Sequence, residues 1–204
     1  MRDSSRSITT TGHPDYRARS SRGWRAFGAG PDPDPGMTST LHRLALRTDL
    51  SQIVEIYNST IPTRLVTADT EPVTLESRVQ WFEEHTPTFR PLWVVEAEGQ
   101  IAGWLSFSSF YGRPAYNKTA ELSVYVHQAF RRRGFGTYLL TQAVAEAPTL
   151  GINTLMGFIF AHNEPSLRLF KEHGFSRWGE LPRVAELDGV DRDVVIVGRR
   201  VQNG

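Results

Sequence analysis

An α+β fold, a mixed sheet with helices packed on its faces, is the architecture this sequence predicts. Three observations lead there. The 204 residues suit one domain, or one domain plus a tail, and are enough to bury a sizeable core. Apolar residues make up 39% and charged residues 22%, the usage of an ordinary globular protein. From residue 42 onward, short apolar runs bounded by turn residues alternate with segments of helical period, in the order β-α-α-β-β-β-α-β-α-β-β.

The elements follow in order. His42–Arg47 is a short strand. Thr48 is placed to cap a helix that carries Leu50, Ile53, Val54, Tyr57 and Ile61 on one face, and Pro62 stops it. A polar loop runs to Pro72, and Thr74–His85 reads as a second helix anchored by Val79, Trp81 and Phe82. Leu92–Ala97 and Ile101–Phe107 are strands joined at Glu98-Gly99-Gln100, a hairpin signal. After a loop over Ser108–Asn117 come the strand Ala120–His127 and the helix Gly134–Ala147. Ile152–Phe160 is so continuously apolar that both faces should be buried. Asn163–His173 is a short helix with a natural N-cap and, in Gly174, a natural stop. Two strands near Phe175–Ala185 and Asp191–Val201 turn at Asp188-Gly189.

The first 36 residues differ from the rest. They are rich in Ser, Arg, Gly and Pro, lack a sustained period, and end in Pro31-Asp32-Pro33-Asp34-Pro35-Gly36, which no regular element tolerates. They are expected to be a disordered tail, with the domain over 37–204 and a possible translation start at Met37. They lack the continuous apolar segment of a secretory signal. The formal charge of +1 is carried by the tail, so the domain is near neutral and offers no electrostatic case for nucleic acid. With no cysteine, disulfides, thiolate metal sites and a Cys nucleophile are excluded. No stretch approaches the ~18–20 apolar residues of a membrane helix, and no metal-ligand spacing stands out among the histidines.

Chemistry concentrates after Glu121. The strand Leu122–Val126 runs into Arg131-Arg132-Arg133-Gly134-Phe135-Gly136-Thr137, which opens straight into a helix. Unpaired N–H groups and a partial positive charge at a helix start make an anion site. Two residues without Cβ let an oxyanion approach the backbone, and the arginines add charge. A phosphate or pyrophosphate cradle follows, although a solvated basic helix start would look the same. The stretch is neither a Walker loop nor a full dinucleotide fingerprint. About thirty residues on, Asn163-Glu164-Pro165-Ser166 opens the short helix, a pattern that by itself describes only a well-capped element.

Taken together, strand, Arg-x-x-Gly-x-Gly, helix, buried strand, Asn-x-x-Ser, short helix and Gly174-Phe175 resemble the GNAT acetyltransferase superfamily over about residues 41–201. Within it the chain is similar to the phosphinothricin and methionine sulfoximine N-acetyltransferase branch. The shared features are Ile56-Tyr57-Asn58, Thr67–Glu71, Gly112-Arg113-Pro114-Ala115-Tyr116, Thr119-Ala120-Glu121 and Ser123-Val124-Tyr125-Val126. The resemblance implies a mostly antiparallel sheet whose one central parallel pair, Leu122–Val126 beside Ile152–Phe160, splays apart to admit acetyl-CoA. The cofactor would meet the backbone of Val124, Tyr125 and Val126. Its pyrophosphate would lie on the amides of Arg132 to Thr137, with Arg131 to Arg133 adding charge. Asn163 and Ser166 would lie along its arm.

The same resemblance assigns Glu121 the removal of a proton from the acceptor amine, since a free amine is largely protonated near neutral pH and attacks only when neutral. Arg113 and Tyr116 would hold the acceptor, Arg113 through its fork of donors, with the Thr67–Glu71 loop contributing. Many superfamily members protonate the departing thiolate with a Tyr where this chain has Phe170. Tyr125, His127 and Tyr138 are the alternatives, as is solvent. The expected activity is transfer of an acetyl group to the α-amine of a small amino-acid-like acceptor such as methionine sulfoximine, phosphinothricin or methionine sulfone. The expected setting is a cytoplasmic homodimer that uses no metal, nucleic acid or membrane. The other readings are acetylation of a peptide N-terminus, polyamine or aminoglycoside, and an acyl-CoA sensor without catalysis.

Overall fold

The computed structural model describes residues 42–201. The tail expected over residues 1–36 lies outside the described residues. One seven-stranded sheet runs in the order β1-β2-β3-β4-β5-β7-β6. Its strands are β1 (His42–Leu44), β2 (Leu92–Ala97), β3 (Gln100–Ser109), β4 (Thr119–Val126), β5 (Thr154–Phe160), β6 (Ser176–Leu187) and β7 (Val190–Arg200). Every adjacent pair is antiparallel except β4 and β5.

Helices cover both faces, as the element order predicts. α3 (Phe135–Glu146) and α4 (Glu164–Glu172) pack on one face. There Leu105, Phe107, Ala120, Leu122, Leu139, Leu140, Leu155 and Phe170 form the larger core. α1 (Leu50–Asn58) and α2 (Val79–Glu83) cover the other, where Ile53, Ile56, Val94, Ile101 and Trp104 form a second core. Strand alternation divides β4 between these two environments. Ala120 and Leu122 enter the larger core, while Tyr125 packs against the smaller one. A fully buried Leu or Phe contributes about 1.5–3 kcal/mol of burial free energy, so both faces are firmly held.

Several boundaries differ from the sequence-based expectation. Thr48 does not cap α1, because a 3-10 turn over Arg47–Asp49 precedes it. Asp49 instead accepts from the Leu46 N–H at 2.6 Å and from both terminal nitrogens of Arg43. Burial pushes the Asp49 carboxyl up, but these hydrogen bonds outweigh it and hold the group below the usual carboxylate range. α1 ends at Asn58, and Ile61 starts a separate 3-10 turn over Ile61–Thr63, since Pro62 cannot donate to a continuing helix. The second helix keeps five residues, Val79–Glu83, with a 3-10 turn over Glu76–Arg78 before it. β5 is buried on both faces except at Phe158.

Candidate active site

The parallel pair is short. β4 and β5 are in register only at Thr119 with Thr154, Ala120 with Leu155 and Glu121 with Met156. Beyond Glu121 the strands part, and the β4 backbone facing β5 lacks a ladder partner. Backbone groups left this way are ready to pair with a ligand's amides. Glu121 therefore occupies the last paired rung, at the point of the fork. Arg90, 3% exposed, fixes the backbone just ahead of it by donating to the carbonyls of Asn117 at 2.8 Å and Thr119 at 3.1 Å.

On the α3 side the fork opens into a groove of about 930 Å3. It brings together Val124, Tyr125, Val126, Arg131, Arg132, Gly134, Phe135, Gly136, Thr137, Asn163 and Ser166. The turn into α3 carries two left-handed residues, Arg132 at φ 61° and Gly134 at φ 83°. Gly134 is the N-cap and makes no side-chain cap bond. The first helical hydrogen bond runs from the Tyr138 N–H to the Gly134 carbonyl at 2.8 Å. The N–H groups of Phe135, Gly136 and Thr137 thus come before that ladder, on the wall of the groove. A Cβ on Gly136 would come within 3.4 Å of Leu169 Cδ2, so backbone lies close to packed side chains there. Arg133 does not join this wall. Its guanidinium pairs with Glu98 at 2.8 Å and lies 4.9 Å from the centre of the Phe130 ring. Arg168 lines the groove instead, and in the sequence it is one charge on an ordinary helix with nothing to mark it.

The opposite wall is a strap over residues 60–66, which no local sequence signal marks. Asn163 Nδ2 donates to the Leu65 carbonyl at 2.9 Å and His162 Nε2 to the Arg64 carbonyl at 2.8 Å. Arg64 is left-handed at φ 52°, and its guanidinium grips both oxygens of Asp188 at 2.9 and 3.0 Å. Asn163 Oδ1 also accepts from the Ser166 N–H at 3.2 Å. The expected N-cap is present, and the same side chain holds the strap down.

On the α1 side of the fork lies a second cavity of about 170 Å3. Tyr57, Trp81, Trp104 and Tyr125 give it aromatic walls, Ser106, Ser108 and Ser123 a hydroxyl-bearing floor, and Arg78 its one positive charge. The Tyr57 hydroxyl is 2.5 Å from Thr67 Oγ1 and donates to Asp69 at 2.6 Å. Arg78 donates to the same Asp69 oxygen at 3.0 Å and lies 4.8 Å over the Tyr57 ring. Ser108 stands directly opposite Glu121 across the β3–β4 ladder, which puts Glu121 at the rim. Burial raises the Glu121 pKa above the ordinary glutamate value. A smaller space of about 60 Å3 sits in the fork itself, between Val124 and Ile159, and Tyr125 lines all three spaces.

The remaining candidates are placed as follows. Arg113 and Tyr116 are exposed and line neither the groove nor the cavities. Tyr116 instead stacks edge-on against Phe110 at 5.4 Å. Phe170 is 4% exposed and packs on Phe175. The Tyr138 hydroxyl is 3.2 Å from His42 Nδ1, away from the groove. His127 Nδ1 accepts from the Ala129 N–H at 3.2 Å. Of the three alternatives to Phe170, only Tyr125 borders the fork. Burial pushes its phenol far up from the usual value. Among the described residues no group of three His, Asp or Glu side chains is gathered as a metal site, and no helix is long and apolar enough to cross a membrane.

Comparisons with known proteins agree with this geometry. Residues 51–175 match the acetyltransferase (GNAT) family. YwnH of Bacillus subtilis, whose name as a phosphinothricin acetyltransferase is itself provisional, is 58% identical over 160 residues, 78% of this chain and 98% of that one. An L-methionine sulfoximine/L-methionine sulfone acetyltransferase of Salmonella typhimurium is 30% identical over 142 residues, 70% of this chain and 83% of its own. The crystal structure of a phosphinothricin acetyltransferase from Sinorhizobium meliloti, in complex with acetyl-CoA, superposes with a TM-score of 0.77 at 26% identity. It covers 82% of this chain and 91% of that one. A parallel pair that forks at a half-buried glutamate, a helix start stripped of side-chain caps and a match over most of the domain lead to one assignment: the chain belongs to the acetyltransferase (GNAT) family and is an acyltransferase.

Proposed function

We propose that this enzyme transfers an acetyl group from acetyl-CoA to the α-amine of a small amino-acid-like acceptor, of the kind represented by methionine sulfoximine, methionine sulfone and phosphinothricin. The observation that carries the reading is the position of Glu121. It stands at the fork, with a cofactor-sized groove on one side of the sheet and a small cavity on the other. Pockets that hold drug-sized ligands measure about 300–1,000 Å3. The groove, at about 930 Å3, fits a large cosubstrate, while the cavity, at about 170 Å3, fits something much smaller.

The residues divide the work. The N–H groups of Phe135, Gly136 and Thr137, with Arg131, Arg132 and Arg168 beside them, bind the pyrophosphate. The free β4 edge at Val124, Tyr125 and Val126 pairs with the pantetheine amides, with Asn163 and Ser166 along the arm. Glu121, its basicity raised by burial, accepts the ammonium proton directly or through water. The neutral amine then attacks the thioester carbonyl and forms the C–N bond. Backbone N–H groups near Val126 stabilise the tetrahedral oxyanion, and the C–S bond breaks to release the thiolate. Phe170 has no proton to give, and burial makes the Tyr125 phenol a weaker acid than a thiol, so the departing thiolate takes its proton from solvent, with Tyr125, which borders the fork, as a hydrogen-bond donor at most.

The test is thiol release from acetyl-CoA with a panel of methionine sulfoximine, methionine sulfone, phosphinothricin, common amino acids, a polyamine, an aminoglycoside and a peptide N-terminus. Saturable release with one of the first three is the expected result. Release with only the polyamine, aminoglycoside or peptide overturns the acceptor class. Acetyl-CoA binding with silence across the panel overturns catalysis on amines of this kind.

A further inference from the structure

We propose that Arg78 is the anion anchor of the acceptor cavity, and that the enzyme selects acceptors bearing a carboxylate or phosphinate close to the amine. This rests on the function proposed above and names the residue that sets its substrate class. Arg78 is the one cationic side chain lining the cavity, and no carboxylate lines it. The guanidinium is preorganised by Asp69 at 3.0 Å and by two aromatic faces, Tyr57 at 4.8 Å and Trp81 at 6.0 Å. Asp69 is itself fixed by the Tyr57 hydroxyl. Only one Arg78 nitrogen is engaged, so the rest of its donor fork has no partner among the described residues.

A planar fork held rigid with donors to spare is suited to a two-oxygen anion. Asp69 does not fill that role, because it already accepts from Tyr57 and Arg78 behind the wall. Arg113, the arginine that the resemblance implies for this task, is exposed and lines none of the three spaces described above. Along β4 the cavity runs from Ser123, next to the Glu121 rim, to Tyr125, beside which Arg78 lies over Tyr57. Proton acceptor and anion anchor therefore stand toward opposite ends of one small space, and an acceptor carrying both an amine and an anion matches that polarity.

The experiment compares wild type with Arg78→Met, which keeps the stem, and Arg78→Lys, which keeps the charge but loses the fork. Each is assayed with methionine sulfone, methionine sulfone carboxamide, phosphinothricin and phosphinothricin carboxamide, and acetyl-CoA affinity reports whether the variant is folded. In wild type the acid should outperform its carboxamide. In Arg78→Met the KM for the acids should rise about ten- to a hundred-fold with kcat changed only a few-fold, and the preference for acid over amide should vanish. Arg78→Lys should fall between. If amidation weakens both compounds, the anchored group is the α-carboxylate. If it weakens the sulfone but phosphinothricin carboxamide keeps its affinity, the phosphinate occupies the site. Retention of acid-over-amide discrimination by Arg78→Met overturns the assignment.

Binding can be read without turnover from the fluorescence of Trp81 and Trp104. A saturable wild-type change with acid but not amide, lost in Arg78→Met, upholds the anchor even where the transferase assay fails. No change with any of the four compounds overturns it.

Discussion

The two cavities on either side of β4 are built from different materials. The groove on the α3 side is mostly backbone: an uncapped helix start, a strand edge left without a ladder, and a strap held by its carbonyls. The cavity on the α1 side is made of side chains, with four aromatic rings, three serines and one arginine contributed by α1, the turn before α2, α2, β3 and β4. Backbone recognises a common cosubstrate regardless of local side-chain choice. Side chains gathered from several elements can be exchanged one at a time, so acceptor preference can change without disturbing the fork.

Substitutions can separate the two sites. The largest effect is expected for Gly134→Val. A β-branched residue at φ 83° carries strain of about 1–3 kcal/mol and puts a side chain where the phosphate must approach. Calorimetric titration should find acetyl-CoA binding abolished while circular dichroism shows the fold retained. Near-normal affinity would refute the backbone cradle.

Glu121→Gln should do the reverse, leaving acetyl-CoA affinity unchanged while kcat falls about 10²–10⁴-fold. Its pH profile sharpens the point. Glu121 acts when ionised and burial raises its pKa, so wild-type activity should fall as pH drops through a value above the ordinary glutamate pKa of about 4.3. The variant should lack that limb. Full turnover across the pH series would remove Glu121 from the mechanism.

Asn163→Ala should be intermediate. Loss of the cap to Ser166 costs about 1 kcal/mol, a drop of roughly 2–4 °C in Tm, and freeing the Leu65 carbonyl should raise the acetyl-CoA Kd several-fold. An unchanged Kd would show that the strap does not shape the groove. The smallest effect belongs to Asp188→Ala. That ion pair is solvent-exposed and screened, so thermal scans should not distinguish the variant, and its acetyl-CoA KM should rise no more than about threefold. A larger rise that high salt reproduces in wild type would make the pair a principal pin of the strap.

The contrast also explains what the sequence disclosed. The groove was legible because its parts are contiguous: Arg131 to Thr137 and Asn163 to Ser166 are short runs whose chemistry follows from helix starts and caps. Even there Arg133 looked like its neighbours, and only the fold shows its guanidinium on the Glu98 side of the turn. Of the acceptor cavity, the sequence offered only the Thr67–Glu71 loop implied by the resemblance, whose Thr67 and Asp69 lie against Tyr57. Tyr57, Arg78, Trp104 and Tyr125 are scattered along the chain, and each alone reads as an amphipathic or core position. The strap escaped notice because its partners, His162, Asn163 and Asp188, are remote in sequence. Element boundaries failed where side chains compete for the backbone: the carboxylate of Asp49 rather than the hydroxyl of Thr48 organises the entry to α1.

The pins of the strap have a consequence for biosynthesis. Arg64 and Leu65 are held by residues 98 positions downstream, and the Arg64 clasp reaches 124 positions, to Asp188. Contacts between such distant segments come late, because loop closure must precede any reward. A ribosome-bound chain can complete α1 and the β2–β3 hairpin long before His162 and Asn163 emerge, yet the strap cannot be seated on the groove until then. Acetyl-CoA thus has no complete site to occupy, and so cannot stabilise the fold by mass action, until α4, which lines the groove as far as Glu172, has left the exit tunnel.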